Sequence, residues 1–208
     1  CSGWYGASLL KNTVKEEILI MKNQLDLFKE CNAPCMVVAE VSGSIQGQSK
    51  KPLSNRPILD NDEWKTLYNR INEIGKFMHD SGVPLAYHHH MGTVVQSQED
   101  TERLIDNTSD AVKLLIDTGH MMFAGGDFAK IAKDYSARLY HVHCKDIRKD
   151  VLDKALKNDL SFIDAFFAGA FTVPGDGCID YNHFLKILKD LNYEGWLVVE
   201  AEQDPKKA

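Results

Sequence analysis

Four apolar, strand-like segments of this chain each end in residues that bind metal ions or transfer protons. The segments are LAYHHHMGT (85–93), AVKLLIDTGH (111–120), ARLYHVHCKD (137–146) and GWLVVEAEQD (195–204). The first three start about 26 residues apart, close to the roughly 30 residues of one strand–helix unit in a parallel α/β barrel. Because the C-terminal ends of such strands surround one mouth, we expect these side chains to converge. Three or four imidazole and carboxylate ligands there would form a divalent metal site.

The DTGH motif places an acid at the end of a buried segment. Asp117 follows the apolar run VKLLI, and His120 comes three residues later. A carboxylate at a buried strand end costs free energy unless it is paired or bound to a metal. The alternative is that Asp117 caps the next helix. In the first interpretation both Asp117 and His120 face the mouth.

Two histidine motifs strengthen the metal interpretation. In HVH, His141 and His143 share one strand face because side chains alternate with period two. In YHHHMG, His88 and His90 lie on one face and His89 on the other. A single strand histidine is more often a hydrogen-bonded core residue, but this combination favours a metal site.

Three further residues extend the set. Glu200 and Glu202 share a strand face after WLVV, and a hard divalent ion prefers such oxygens beside imidazole. Solvated carboxylates at a sheet edge are the alternative. Gln96, just beyond the histidine triplet, offers an oxygen ligand.

Helix-like and strand-like patterns alternate along the chain, which predicts a parallel sheet with right-handed crossovers. Strands are predicted at 1–6, 35–41, 84–90, 112–117, 138–144 and 196–200. Helices are predicted at 10–32, 60–82, 98–107, 128–137 and 180–195, from apolar residues at helical spacing and from start and stop signals.

Six strands are two short of a (β/α)8 barrel. We therefore expect residues 1–208 to form one partial TIM-barrel domain that lacks the first two strands and exposes a strand edge. A complete six-stranded doubly wound domain is the alternative, but no Gly-rich nucleotide-binding loop follows any strand. FTVPGDG (171–177) predicts a tight turn, with an active-site lid as the alternative.

Composition excludes some function classes. The formal net charge of −6 argues against a nucleic-acid-binding surface, and no apolar run approaches the ~18 residues of a membrane span. The five cysteines predict reduced thiols in a cytoplasmic protein. Cys31 and Cys35 form an isolated Cys-x3-Cys pair, and Cys144 in HVHCKD leaves a metal or redox role open.

These motifs together carry a resemblance. AEVSGSIQG, YHHHMGT, DTGH, HVHCKD, FTVPGDG and EAEQDP span nearly the whole chain, and with them the chain resembles the xylose-isomerase-like TIM barrels, the sugar isomerase/epimerase superfamily. Within that family it is similar to the dehydratases of inositol catabolism. The resemblance implies loss of water from a cyclic 2-keto polyol, with no nucleic-acid or membrane partner; a homo-oligomer is left open.

The resemblance also implies a ligand set. The family pattern has one ligand on each of four successive strands, usually Glu, Asp, His and Glu. Asp117, His143 and Glu200 match the last three. At the first position this chain departs from the pattern, and His88 or His90 is expected there, with Gln96 next. The implied metal is Mn or Co, and glutathione is allowed as a further cofactor.

The remaining polar residues are candidates for proton transfer or substrate binding. Removal of a proton α to a ketone needs a base, and loss of a β-hydroxyl needs an acid. His120, Glu202, Lys145 and Glu40 are the candidates. A sugar isomerase or epimerase with the same metal site is the first rival function. A non-catalytic sugar-binding or metal-binding barrel is the second, and an endonuclease, opposed by the negative charge, is the third.

Overall fold

A parallel sheet of six strands carries the four polar segments at one end. The computed structural model describes residues 3–202 and 204. From the N-terminus the elements are β1 (Trp4–Ala7), α1 (Val14–Glu30), β2 (Met36–Glu40), a short 3-10 helix (Leu53–Asn55), α2 (Asn61–Asp80), β3 (Leu85–His88), α3 (Gln98–Asp106), β4 (Val112–Asp117), α4 (Thr118–Phe123), α5 (Phe128–Asp134), β5 (Leu139–Cys144), β6 (Asp146–Ile147), α6 (Lys149–Lys157), α7 (Phe162–Phe167), β7 (Phe171–Thr172), α8 (Tyr181–Asp190) and β8 (Trp196–Val199).

The six predicted strands form the sheet in the order β1-β2-β3-β4-β5-β8, and every neighbouring pair is parallel. The five predicted helices are present, with α1, α5 and α8 shorter than expected. Cys1 and Ser2, included in the first predicted strand, lie outside the described residues. Sequence patterns missed α4, α6, α7 and the antiparallel β6–β7 pair.

Local sequence signals explain where the first three helices begin. Each helix is preceded by an N-cap residue whose side chain accepts a hydrogen bond from a backbone N–H in the first turn. The side chain of an acidic residue three positions later accepts a hydrogen bond from the backbone N–H of the N-cap residue. Such capping boxes satisfy backbone donors that have no partner within the helix. The three pairs are Thr13 with Glu16, Asp60 with Glu63, and Ser97 with Asp100.

The two faces of the sheet have different surroundings. On the outer face, β-strand residues such as Met36 and Tyr87 pack against buried residues of α2, including Leu67 and Ile71. On the inner face a small cluster of buried residues lies beneath the polar strand ends; it comprises Cys35, Val37, Ala86 and Leu115. The alternation of side chains along each strand produces this division.

Register brings the polar ends of three strands to one level. Asp117 on β4 pairs with His143 on β5, and His143 pairs with Val198 on β8, two residues before Glu200. Within the described residues the sheet is open, with β1 and β8 at its edges. No helix in the described part of the chain is long and apolar enough to cross a membrane.

Candidate metal centre and active site

A cavity of about 420 Å³ lies at the C-terminal ends of the strands. Its walls combine apolar side chains from the edge strands and from α7 with imidazole, ammonium and carboxylate groups. The lining residues are Trp4, Val37, Gln46, Gly47, His88, His90, His143, Lys145, Phe162, Ile163, Val198, Glu200 and Glu202.

Asp117 serves two purposes at once. Its Oδ1 accepts the backbone N–H of His120 at 2.8 Å and so caps α4. Its Oδ2 is buried, accepts no hydrogen bond of good geometry, and lies 3.5 Å from His88 Nε2 and 3.6 Å from His143 Nδ1. The helix-capping and site interpretations of Asp117 are therefore compatible, because each uses a different oxygen.

His88, Asp117 and His143 form one group, here called the Asp117 group, whose nearest ligand atoms all lie within 4.8 Å of one another. Glu200 Oε2 is 3.3 Å from His143 Nδ1. Asp117 Oδ2 and Nδ1 of both His88 and His143 are buried without a hydrogen-bond partner. Two imidazoles and two carboxylates, with no thiolate, suit a divalent cation, and a cation between them would satisfy Asp117 Oδ2 and His143 Nδ1.

Lys145 places an ammonium beside this group. Its Nζ lies 3.2 Å from Asp117 Oδ2, 2.9 Å from Glu200 Oε2 and 3.0 Å from Glu202 Oε2. Burial alone would lower the pKa of Lys145, but the three carboxylates outweigh burial and raise it. The Lys145 side chain is therefore a buried, charged hydrogen-bond donor.

The carboxylates of the group are firmly ionised. Burial opposes ionisation of Glu200, but the adjacent His143 imidazole and the charge of Lys145 outweigh it and lower the pKa of Glu200 to about 2. For Asp117, burial is outweighed by Lys145 and the neighbouring histidines, and the pKa falls well below its usual range. Burial lowers the pKa of His143, yet the adjacent carboxylates of Asp117 and Glu200 outweigh burial and raise it to about 9.

A second group, here called the Glu202 group, lies next to the first and comprises His90, His120 and Glu202. His90 Nδ1 donates to the carbonyl of Met91 at 2.8 Å, and His120 Nδ1 accepts the backbone N–H of Met91 at 3.3 Å. Burial lowers the pKa of both histidines and raises that of Glu202. These residues hold less fixed negative charge than the Asp117 group.

Comparison with known proteins identifies the family to which this chain belongs. The sequence model for "xylose isomerase-like TIM barrel" proteins matches residues 2–208. The chain belongs to that family.

Relatives in the family are similar across the whole chain. Rhizopine catabolism protein MocC of Rhizobium meliloti is 42% identical over 207 residues, which cover 100% of this chain and 64% of MocC. Inosose dehydratase of Clostridium perfringens is 43% identical over 206 residues, which cover 98% of this chain and 69% of the relative. This chain thus spans about two thirds of the length of these relatives.

Solved structures with low sequence identity share the fold. The probable 3-DHS dehydratase AsbF from Bacillus anthracis superposes with a TM-score of 0.74 at 14% identity, covering 99% of this chain and 72% of AsbF. The IOLI protein, solved with a bound zinc atom, superposes with a TM-score of 0.67 at 17% identity, covering 92% of this chain and 62% of IOLI. At these identities the likeness establishes the fold alone.

In this member of the xylose isomerase-like family, the strand-three histidines separate by role. His88 belongs to the Asp117 group and His90 to the Glu202 group. His89 points to the other side, as predicted, and its Nε2 accepts the N–H of Asp117 at 3.3 Å. Gln96 Oε1 accepts the N–H of Gly92 at 2.6 Å and is used inside the loop. Of these three side chains, His88 is the one that lies beside Asp117 and His143.

Two predicted residues lie apart from the cavity. Both oxygens of the buried Glu40 accept backbone N–H groups, from Leu9 at 2.6 Å and from Ser42 at 2.6 Å. Glu40 therefore joins two loops, and its position does not favour an acid/base role. His120 is fully buried behind Lys145, with Nε2 3.2 Å from the ammonium, so it meets the cavity only through other side chains.

The cysteine alternatives are not favoured either. Cys144 follows His143 and so points to the outer face, where it packs with Ile116 and Phe184. Burial raises the pKa of Cys144 to about 11, which leaves the thiol protonated and unreactive. Cys31 is exposed and Cys35 buried, and the grouped ligand atoms of the described residues include no sulfur.

The FTVPGDG segment is an ordered turn, and its position does not favour the lid interpretation. Asp146 is fully buried, and its carboxylate accepts the N–H groups of Gly175, Gly177, Ile179 and Ile147. The segment therefore wraps around one carboxylate and is absent from the lining of the cavity.

Two other segments supply that lining, and sequence patterns missed both. Gln46 and Gly47 follow β2, while Phe162 and Ile163 belong to α7. The segments are linked at the surface by Asp164, which accepts from Ser49 Oγ at 2.7 Å and from the N–H of Lys50 at 2.8 Å. The one sequence signal of α7 is Ser161 followed three residues later by Asp164, a cap pattern.

Proposed function

We propose that this protein is a metal-dependent dehydratase that removes water from a cyclic 2-keto polyol of the 2-keto-myo-inositol type. The product is an enol that tautomerises to a dione. The observation that carries the proposal is the Asp117 group with Lys145 at the mouth of the sheet, in a chain 43% identical to an inosose dehydratase. A cavity of about 420 Å³ is large enough for a six-membered polyol ring.

We assign the metal ligands to His88, Asp117, His143 and Glu200. When bound, a divalent ion would act as a Lewis acid toward the ketone oxygen. The ligand set without thiolate supports Mn²⁺ or Co²⁺. His90, the other predicted ligand on this strand, is left to the Glu202 group, because it lies with His120 and Glu202 and not with Asp117 and His143.

The protein residues then handle the protons. A base takes the proton from the carbon next to the ketone, and the electron pair moves into an enolate. The β-hydroxyl accepts a proton from an acid and leaves as water, which gives an enone whose α-carbon carries a hydroxyl. Glu202 and Lys145 line the cavity and are 3.0 Å apart, so both reach a substrate that occupies it.

We assign the base to Glu202. Burial raises the pKa of Glu202, which makes it a stronger base than a solvated carboxylate. Lys145, held as an ammonium by its carboxylate neighbours, donates a hydrogen bond to the developing enolate. His120 supports this pair from behind, since its Nε2 is 3.8 Å from Glu202 Oε2.

The test is product identification on the purified protein loaded with Mn²⁺ or Co²⁺, with and without glutathione. We expect ¹H NMR to show conversion of 2-keto-myo-inositol to the dione, with loss of the α-proton signal. Interconversion of ketone positions without loss of water would instead identify an isomerase or epimerase.

The four described cysteines are free thiols, which supports a reducing, cytoplasmic location.

A further inference from the structure

Gln46 holds an unsatisfied polar atom against the cavity. The side chain lines the cavity, and its amide oxygen Oε1 is buried without a hydrogen-bond partner. A buried acceptor that has lost water and gained no partner is destabilising. Such an atom in a cavity wall is satisfied when a bound molecule donates to it.

The chemistry of the lining sets Gln46 apart. The other polar side chains among the described lining residues are titratable and belong to the Asp117 and Glu202 groups or to their neighbours Lys145 and Glu200. The rest of the wall is apolar, for example Val37, Phe162 and Val198. Gln46 therefore contributes a neutral amide, which both accepts and donates hydrogen bonds. A hydroxyl group does the same, so an amide and an alcohol are matched partners.

The backbone of Gln46 is fixed relative to the metal-facing strand. The carbonyl of Gly92, in the loop after β3, accepts from the N–H of Ile45 at 2.9 Å and from Ser44 Oγ at 3.1 Å. Ser44 Oγ in turn accepts the N–H of Gln46 at 3.2 Å. A Cβ at Gly92 would lie 2.9 Å from Gln46 N, and Gly92 has φ +79°, so only glycine permits this approach.

We propose that Gln46 is a specificity-determining residue whose amide binds one ring hydroxyl of the substrate. This deepens the proposed function and rests on it. The loop contacts hold the backbone of Gln46 at a set distance from His88, four residues before Gly92 on the same strand-loop unit. The bound substrate then has to match the distance between the metal, which binds its ketone, and Gln46, which binds one hydroxyl. The class selected is a rigid cyclic polyol, whose ring fixes that distance.

The test combines one variant, one control and a substrate series. Gln46→Leu replaces the amide with an apolar side chain and removes the hydrogen bond. Gln48→Leu makes the same change two residues on, at an exposed position outside the cavity. Because it removes the bond from Gln48 Nε2 to the carbonyl of Ser44 at 3.2 Å, it reports what the loss of a contact within the loop does by itself. For 2-keto-myo-inositol we expect Gln46→Leu to lower kcat/KM by ~10- to 100-fold, mostly through KM, with metal content unchanged. Gln48→Leu should stay within about twofold of wild type.

Monodeoxy analogues locate the hydroxyl. One analogue lacks the hydroxyl that Gln46 binds. For that analogue wild type and Gln46→Leu should have equal kcat/KM, because the hydrogen bond is absent from both enzyme–analogue complexes. The same penalty on every analogue would mean that the substitution acts on the structure of the loop, and the assignment would be overturned. An effect no larger than that of Gln48→Leu would overturn it as well.

Calorimetry with myo-inositol, which cannot be dehydrated by this route, separates this inference from the proposed function. Weaker inositol binding by Gln46→Leu than by wild type, together with no dehydration by wild type, would refute the dehydratase and retain the assignment of Gln46. Dehydration by wild type with equal inositol affinity in both proteins would do the reverse. If wild type binds no cyclic polyol at all, the assignment of Gln46 falls.

Discussion

The Asp117 group and the Glu202 group are built from the same residue types on the same strand ends, yet they differ in charge and in hydrogen bonding. His88 and His90 are two residues apart, as are Glu200 and Glu202, and Asp117 and His120 are three apart. In the Asp117 group the buried Asp117 Oδ2 and the Nδ1 atoms of both histidines have no hydrogen-bond partner. In the Glu202 group, Nδ1 of each histidine is bonded to the backbone of Met91, and only Glu202 Oε2 is buried without a hydrogen-bond partner.

Lys145 makes the difference sharper. Its ammonium forms ion pairs with carboxylates of both groups. At Asp117 and Glu200 the neighbouring positive charge outweighs the effect of burial, so the pKa falls and both carboxylates stay ionised. At Glu202 the effect of burial is the larger one, so the pKa rises. A cation is best stabilised where two fixed negative charges meet, and proton transfer is best served where a carboxyl is closer to neutrality. Spacing alone creates two equivalent groups; the environment assigns them different chemistry.

The largest effect that would sharpen this comparison comes from Asp117→Asn. The amide preserves the bond to the N–H of His120 but removes the charge from the centre of the Asp117 group. We expect Mn²⁺ affinity to fall by more than about 10²-fold, above the range for residues that only hold a ligand in place, and turnover to reach background. Metal analysis of the dialysed variant checks this. Retention of stoichiometric metal would break the assignment of the group.

Glu202→Gln is the matched change in the other group. It keeps the size of the side chain and should leave metal content at the wild-type value, while kcat falls by ~10²–10⁴ for loss of the base. Metal content and product formation are measured on the same preparation. Near-normal dehydration by this variant would remove Glu202 from the mechanism, and metal loss would show that the two groups are not separate.

The two cavity-facing histidines of the triplet give a smaller, paired test. His88→Ala should weaken Mn²⁺ binding by about 10²-fold, the upper end of the range for residues that only hold a ligand in place, because one of four ligands is lost while the charges of Asp117 and Glu200 remain. His90→Ala removes the same side chain two residues away and should change Mn²⁺ affinity by less than about threefold. Calorimetric titration of both variants checks this contrast. The reverse order of affinities would assign His90 to the metal.

The smallest expected effect comes from Gly119→Ala, which touches neither group directly. A Cβ at Gly119 would lie 2.9 Å from Cγ and from the carbonyl oxygen of Lys145, so the lysine shifts between the two groups. We expect kcat to fall by ~3- to 10-fold with metal content unchanged, and unfolding free energy to fall by about 1–3 kcal/mol. Steady-state kinetics and thermal unfolding measure the two effects. An unchanged kcat would mean that turnover does not depend on the exact position of the Lys145 side chain.

Much of this arrangement could be predicted from the sequence. The six strands are short apolar runs, each ending in polar residues, and period-two alternation alone predicts that His88 and His90 share one face. What alternation could not decide is which of the two meets Asp117. Sheet twist and the path of the loop after β3 set that, and neither is encoded in the spacing of the histidines.

Long-range backbone contacts explain the other differences. Glu40 lies at the end of a strand, as the site residues do. Its carboxylate, however, accepts a hydrogen bond from the backbone N–H of Leu9, 31 residues earlier in the chain. Asp146 and FTVPGDG were separate sequence motifs, and only the fold joins them through the hydrogen bonds of one carboxylate. Helices α4 and α7 have six residues each, too few for helical periodicity to be recognised.

The link between residues 49–50 and Asp164 has a consequence for how such a protein changes over generations. Strand ends fix the charged residues inside a packed sheet, where most substitutions are destabilising. The walls that bear Gln46 and Phe162 belong to two segments joined at the surface by exposed hydrogen bonds, where substitutions are tolerated. Substitutions in these two segments can therefore change which substrate ring the cavity accepts, while the charged residues at the strand ends, and with them the reaction, stay the same.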